Sequence, residues 1–495
     1  MTSDTVPNFS FSEMSRRRWR VLVIASVGVF LATLDSSILA VALPALSADL
    51  KLSFSEALWV QAAYLLVVTV LLIPVGRWAE KQGLYKIYYL GCLVFGLFSV
   101  AVALAFSGAT LIAARVFQAV GASMVLTTAA AIVTAVFPTW ERGRALGLNM
   151  LGATLGQTLG PPVGGLIVSH VGWPWVFHMR APIVVILLAA GWDLLGAERR
   201  DRNLELYSTG AGGIDLRGAA LLGVFLASLF VPLIFSPLWG WQTTRTLVPL
   251  FLSLVFLGLF IFAELMAKDP IIDLGLFVRS RVFTGANAAS FLYMAAVYGV
   301  TVFTAVFLQV VQGQSAQVAG FVLLIQPVMM TLITPVAGRL SDQLGTRELS
   351  AAGTLIMAAG TAQLAFLRVD ASLWQVLGAL GTLGLGIGVF STPNFSAIMG
   401  SVDRSRLGVA SGMFTTSRFC GMGVSIAILG AIAASKLGPE GGRIILLGAR
   451  AGVENAQAFA AGYRMAMLVG TGFALAATVA SLLRDRPICG GNRDS

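Results

Sequence analysis

Fourteen times the chain runs for about 18 residues or more with almost no charge, enough to cross about 30 Å of hydrocarbon at roughly 1.5 Å per helical residue. The runs lie near 21–44, 57–75, 87–106, 109–136, 145–169, 176–196, 218–237, 246–264, 283–308, 317–337, 349–367, 373–396, 406–434 and 461–483. Nearly everything between them is short loop. Only 11% of the 495 residues are charged, whereas soluble domains are about a quarter charged. The fold class expected is an all-α polytopic membrane protein.

A net charge of +10 would suit a nucleic-acid binder if the basic residues gathered on one soluble face. They follow the loops instead. With a cytoplasmic N-terminus, 23 of the 33 Lys and Arg residues fall in inner segments and 8 in outer segments or outer span ends; Arg115 and Arg418 lie within runs. This positive-inside bias places both termini in the cytoplasm of a multi-pass cell (inner/plasma) membrane protein, with lipid rather than nucleic acid as its surroundings. Cys92, Cys420 and Cys489 imply no disulfide framework. Met1 to Ser15 is polar and the first apolar run carries an acid, so a cleavable signal peptide is not expected.

Gly76, Arg77, Glu80 and Gly83, after the second run, return 262 residues later as Gly338, Arg339, Asp342 and Gly345, after the tenth. Glu141, Arg142 and Arg144 return at the same offset as Asp403, Arg404 and Arg406. Two loops in one register indicate a duplication of six runs, with the seventh and eighth inserted between the copies. An even insertion keeps both copies of each charged loop on the cytoplasmic side. The organisation expected is a tail (1–20), a six-helix bundle (21–196), a linker (197–217), two inserted helices (218–264), a linker (265–282), a second six-helix bundle (283–483) and a tail (484–495). Parallel repeats of this kind bind substrate near the midplane between halves and work by alternating access.

Asp35 is a lone carboxylate within the first run. A charge at the bilayer centre costs at least about 2.5 kcal/mol, so such a group is by default one that moves ions or binds a ligand. Arg115 lies about 9 Å into the fourth run and Asp35 about 13 Å inside the outer end of the first. Comparable depths predict a shared charge network, with protonation of Asp35 as the coupling event. The bland alternative for Arg115 is a tie to backbone carbonyls. Asp193 and Glu264 are expected to snorkel to the interface, and His178 and Arg180 to act as interfacial anchors.

In the fifth run, Gly147, Gly156, Gly160, Pro161, Gly164 and Gly165 put small residues on one side of a helix that the Pro161–Pro162 pair bends. Ordinary helix packing explains a short pattern of this kind, but this one is long. Its spacing resembles the antiporter motif of the major facilitator superfamily. Further segments resemble the drug:proton antiporter branch with fourteen transmembrane spans: Leu34-Asp35 to Pro44, Arg115 to Gly121 with Gln118, Gly172 to Phe177 with Pro182, and Gly408 to Gly412 with Arg418. Ala40 and Ala119 depart from that pattern, as do Glu80 and Leu84 in the first cytoplasmic loop.

The resemblance implies a major facilitator fold, two six-helix bundles with two extra central helices. It implies a proton-coupled exporter of hydrophobic or amphiphilic small molecules, a multidrug efflux antiporter driven by the proton gradient without a cofactor. One chain suffices to enclose the pathway. The Gly76–Gly83 and Gly338–Gly345 loops would then act as a cytoplasmic lock. Gln61, Tyr64, Asn287, Tyr293, Tyr298, Gln309, Gln326 and Arg418 are the candidates for the cavity wall. Other readings are a lipid or lysolipid exporter of the same fold, and a receptor or scaffold that moves nothing. An enzyme is disfavoured, because only His170 and His178 are present, no metal-ligand spacing occurs and no Gly-x4-Gly-Lys-Ser/Thr loop is found. Gly384, Gly386 and Gly388 fall inside an apolar run, where helix packing explains them. The segment from about 435 to 460 is read as a hairpin, short helix or plain loop at the outer mouth.

Overall fold

The computed structural model describes residues 11–138, 141–192, 215–267, 270, 274–402, 407–437 and 453–484. Among these, every regular element is a helix. The first half contains α1 (Phe11–Asp49), α2 (Phe54–Gln82), α3 (Leu84–Ala103), α4 (Gly108–Val136), α5 (Arg142–His170), α6 (Pro174–His178) and α7 (Arg180–Ala190). Then come α8 (Leu216–Trp239), α9 (Thr244–Met266) and the short α10 (Leu274–Arg279). The second half contains α11 (Arg281–Val306), α12 (Ala316–Leu344), α13 (Thr346–Ala365), α14 (Leu373–Gly400), α15 (Leu407–Ala434) and α16 (Val453–Leu482). A π-helical turn, Phe307–Val311, extends α11.

Eleven helices among the described residues are long and apolar enough to cross a membrane. The remaining expected runs, near 145–169, 176–196 and 349–367, fall on α5, on α6 with α7, and on α13. α5 and α13 carry Gly, Thr and Gln in place of apolar bulk, while Pro174–Ala190 is apolar but short. Asp193, Asp403, Arg404, Arg406, most of the 197–217 linker and the greater part of the 435–460 segment lie outside the described residues.

The duplication is visible in the helix ends. α12 starts and stops 262 residues after α2, and α13 does the same after α3. In each copy one glycine makes the corner: Gly83 has φ 107 and Gly345 φ 92, and their amides bond back to Ala79 O (2.9 Å) and Ser341 O (3.0 Å). A side chain at positive φ clashes with its own backbone, so a single-residue corner here favours glycine. Gly83→Ala and Gly345→Ala should each destabilise by about 1–2 kcal/mol. Thermal unfolding of the detergent-purified protein checks this, and unchanged melting in both variants would refute the corner argument.

Within the first half α1 packs on α5, and α4 on α2 and α3; within the second, α14 packs on α12 and α13, and α11 on α15. The halves meet through α5 with α12, α2 with α15 and α1 with α11, and α8 covers the α2–α15 seam. α9 is largely exposed, as a lipid-facing helix would be. Its Glu264 is buried, contrary to the snorkelling expected, because the α8–α9 hairpin folds the carboxylate against Gly218 in the first turn of α8. A helix N-terminus suits an anion there.

Contact between halves concentrates at the end opposite the Gly83 and Gly345 corners. A side chain on Gly165 would collide with Ala316, and one on Gly320 with Pro161. Gln317 N donates to Ser169 Oγ at 3.1 Å, and the Phe54 ring lies 6.5 Å from Phe303 and 6.1 Å from Phe459. Towards the corner end, Gly147 of α5 and Gly412 of α15 have no neighbouring atom within 4 Å of where a Cβ would stand. Among the described residues, the close approaches between the bundles thus lie towards one end.

Candidate functional site

Asp35 is buried in the first half, held from two other helices. Arg115 and Gln118 lie three residues apart on α4 and so share a face. Arg115 Nη1 donates to Asp35 Oδ2 at 2.5 Å and to Gln118 Oε1 at 2.7 Å. Gln118 Nε2 donates to Asp35 Oδ1 at 3.2 Å and to Ser99 Oγ of α3 at 2.7 Å. From the start of α7, Arg180 Nη1 donates to Asp35 Oδ1. The Tyr64 ring lies 4.4 Å from the Arg115 guanidinium and the Phe177 ring 4.8 Å from that of Arg180, cation–π contacts that partly offset desolvation. One carboxylate therefore faces two guanidinium groups, and the cluster carries a formal charge of +1 with no exposed side chain.

α5 fixes the position of α1 from another side. A Cβ on Gly156 would collide with Phe30 O and lie 2.9 Å from Leu34 N; one on Gly160 would lie 2.8 Å from Ser37 Cβ. Gly164 presses on Ile38, and Ser37 Oγ donates to Gly156 O at 3.1 Å. Glycine thus lets two backbones touch beside the charged residue. Pro161 and Pro162 remain inside one continuous helix. A Cβ on Gly386 would lie 2.5 Å from Met357 N of α13, in keeping with helix packing.

Between the halves lies a partly open cavity, bounded by α1, α5, α11, α12 and Ile387 of α14. Tyr298 joins it to the charge cluster. Its hydroxyl donates to Ser36 O at 3.1 Å and accepts from Gln61 Nε2, which also reaches Ser36 O at 3.1 Å. Ser36 lines the cavity, and the preceding residue is Asp35.

Of the eight residues expected in the wall, Tyr293, Tyr298 and Gln326 line this cavity. Gln61 and Tyr64 stand behind the wall, against Ser36 and Arg115. Gln309 bridges the seam to Val41 O at 3.2 Å. Asn287 is turned inside the second bundle, donating to Phe283 O (3.0 Å) and accepting from Ser417 Oγ (3.3 Å). The Arg418 guanidinium lies 5.4 Å from the Phe414 ring on its own helix. The helix rotations that set these directions are not coded by span position. In the corner loops, Arg77 and Glu80 are half-buried one turn apart on α2, Arg339 is exposed on α12, and nothing of the Asp342 side chain is described.

Arg180 is the residue the sequence reading misplaced. Expected as an interfacial anchor, it is fully buried against Asp35. The helical segment begins at Pro174, earlier than the run near 176–196, so Arg180 lies about 9 Å from its start, nearly the depth of Arg115 from Gly108. Counting depth from Trp173-Pro174 rather than from the first apolar residue would have paired the two.

The family model of the Major Facilitator Superfamily matches residues 25–426 and again 288–489. The riboflavin transporter RibZ of Clostridioides difficile is 31% identical over 422 residues, covering 85% of this chain and 90% of that protein. The multidrug resistance protein Stp of Mycobacterium tuberculosis is 31% identical over 425 residues, 86% of this chain and 77% of that protein. A solved bacterial homologue of the human lysosomal transporter Spinster, inward-facing and unoccupied, shares the fold with a TM-score of 0.64 at 18% identity, over 94% of this chain and 96% of that one. Two like-built bundles enclosing one cavity, and a family match that runs through both, make this chain a member of the major facilitator superfamily of membrane transporters.

Proposed function

We propose that this protein is a proton-coupled exporter of hydrophobic or amphiphilic small molecules, of the fourteen-span drug:proton antiporter branch. The reading rests above all on the placement of Asp35: sealed from water, yet one peptide unit from a cavity wall that the other half touches through Tyr298. Relatives named for multidrug resistance support the efflux direction. The bundles are residues 21–196 and 283–483, and both termini and the glycine corners face the cytoplasm. The close approaches between the bundles then lie towards the outer face, and one chain encloses the whole pathway.

The charges order the cycle. Protonating Asp35 in place would leave two guanidinium groups facing each other in a dry site, and like charges at such range repel strongly. Proton uptake therefore belongs with a state in which α4 and α7 draw away from α1, the outward-open one. Proton release inside restores the cluster and readies the cavity for cargo. In proteoliposomes with an imposed pH gradient, efflux of an amphiphilic dye should fall to the rate of protein-free vesicles when nigericin collapses the gradient. Efflux that persists unchanged would remove proton coupling.

A further inference from the structure

Among the described residues, the cavity wall contains no Asp, Glu, Lys or Arg side chain. Its polar groups are hydroxyls and amides, among them Ser36, Thr154, Gln157, Tyr298, Thr301 and Gln326. A lipophilic cation in such a cavity would find no acid in the wall to compensate its lost hydration. The buried acid that adjoins the wall is Asp35, and it already faces Arg115 and Arg180. Nε and Nη2 of both arginines lack a hydrogen-bond partner among the described residues, so the cluster is short of anions rather than of cations. Its excess positive charge stands about one helix width, roughly 10 Å, from the cavity. At an effective dielectric of about 20, a unit charge at that separation changes affinity by roughly tenfold.

We infer that the cargo bears no positive charge: it is an uncharged or anionic, oxygen-bearing amphiphile, and Arg180 is the residue that keeps cations out. Thr301 Oγ1 donates to Gln326 Oε1 at 3.3 Å, which leaves Gln326 Nε2 as a donor for a cargo oxygen. Tyr293, Met294 and Met330 supply ring and thioether surface that adapts to a flat apolar body. With Asp35 paired to Arg115 alone the cluster would be neutral, so the second guanidinium is what turns the site against cations. The inference depends on the cavity being the cargo site proposed above.

Fluorescein and rhodamine 6G share a xanthene skeleton and carry opposite charge at pH 7.5, and their binding to the purified full-length protein is read by fluorescence anisotropy in detergent. The native protein should prefer fluorescein by at least about tenfold. Arg180→Gln should narrow that ratio by at least about tenfold, and Arg180→Lys, which retains the charge, should keep it. Equal or tighter binding of rhodamine 6G by the native protein would overturn the proposal, as would a ratio that Arg180→Gln leaves unchanged. Because the ratio is measured without a gradient, it stands apart from proton coupling: a preserved ratio with gradient-independent flux in vesicles would strike only the antiport reading.

Discussion

Transport driven by a pH gradient should fall to the level of empty vesicles when Asp35 is replaced by Asn, the largest functional effect expected of any single substitution. The amide keeps the size of the side chain and loses the carboxylate proposed above to take up and release the proton. Folding suffers too, because Arg115 and Arg180 are left without the carboxylate that both contact. Removing one partner of a buried charge cluster costs about 3–5 kcal/mol. The two effects separate in a double variant. Asp35→Asn combined with Arg180→Gln removes one of the stranded cations and should recover part of the lost stability, while gradient-driven transport stays absent. Melting temperature and proteoliposome flux, measured on the same preparations, decide between the outcomes. Undiminished gradient-driven flux in Asp35→Asn would exclude Asp35 as the coupling group.

Gly160→Val should disable the protein through packing alone. A Cβ at residue 160 would lie 2.8 Å from Ser37 Cβ and 2.9 Å from Ile38 N. The second of these is backbone, which cannot rotate away. Overpacking typically costs about 1–3 kcal/mol, and a branched side chain against a helix backbone belongs at the upper end. The displaced element is α1, so Asp35 would shift relative to α4 and α7 and transport should fall with stability. Gly147 of the same motif provides the contrast. No neighbouring atom lies within 4 Å of its Cβ position, so Gly147→Ala should leave stability unchanged or slightly raised through better helix propensity. If Gly160→Val melts like the native protein, the close contact of α1 and α5 is not what the motif provides.

The sequence reached some parts of the site and not others, for identifiable reasons. Apolar run length predicts where helices fall, because hydrocarbon thickness sets a length that each segment must meet. The glycine spacing of α5 predicts close helix contact, and its partners prove to be α1 on one side and α12 on the other. Depth counting predicts that Asp35 and Arg115 share a layer, and the structure brings them into contact. The same counting failed for Arg180 because the start of a helix is set by Trp173-Pro174, not by the first strongly apolar residue. Five of the eight cavity candidates do not line this cavity, since a polar residue within a span says nothing about which way its helix is turned. Glu264 escaped for a related reason: burial there depends on how α8 folds back on α9.

By itself, the sequence determined a helical membrane protein built by duplication, with a lone acid in the first run and an offset of 262 residues tying Gly83 to Gly345. These are local properties, because length, spacing and repetition act along one helix or between copies of one pattern. Only the tertiary structure decided that Arg180 joins Arg115 on Asp35, that Tyr298 of the second half reaches Ser36 of the first, and that the cavity wall is uncharged. Each of those depends on the rotation and tilt of several helices at once, which are set by packing among neighbours and not by any one segment's composition.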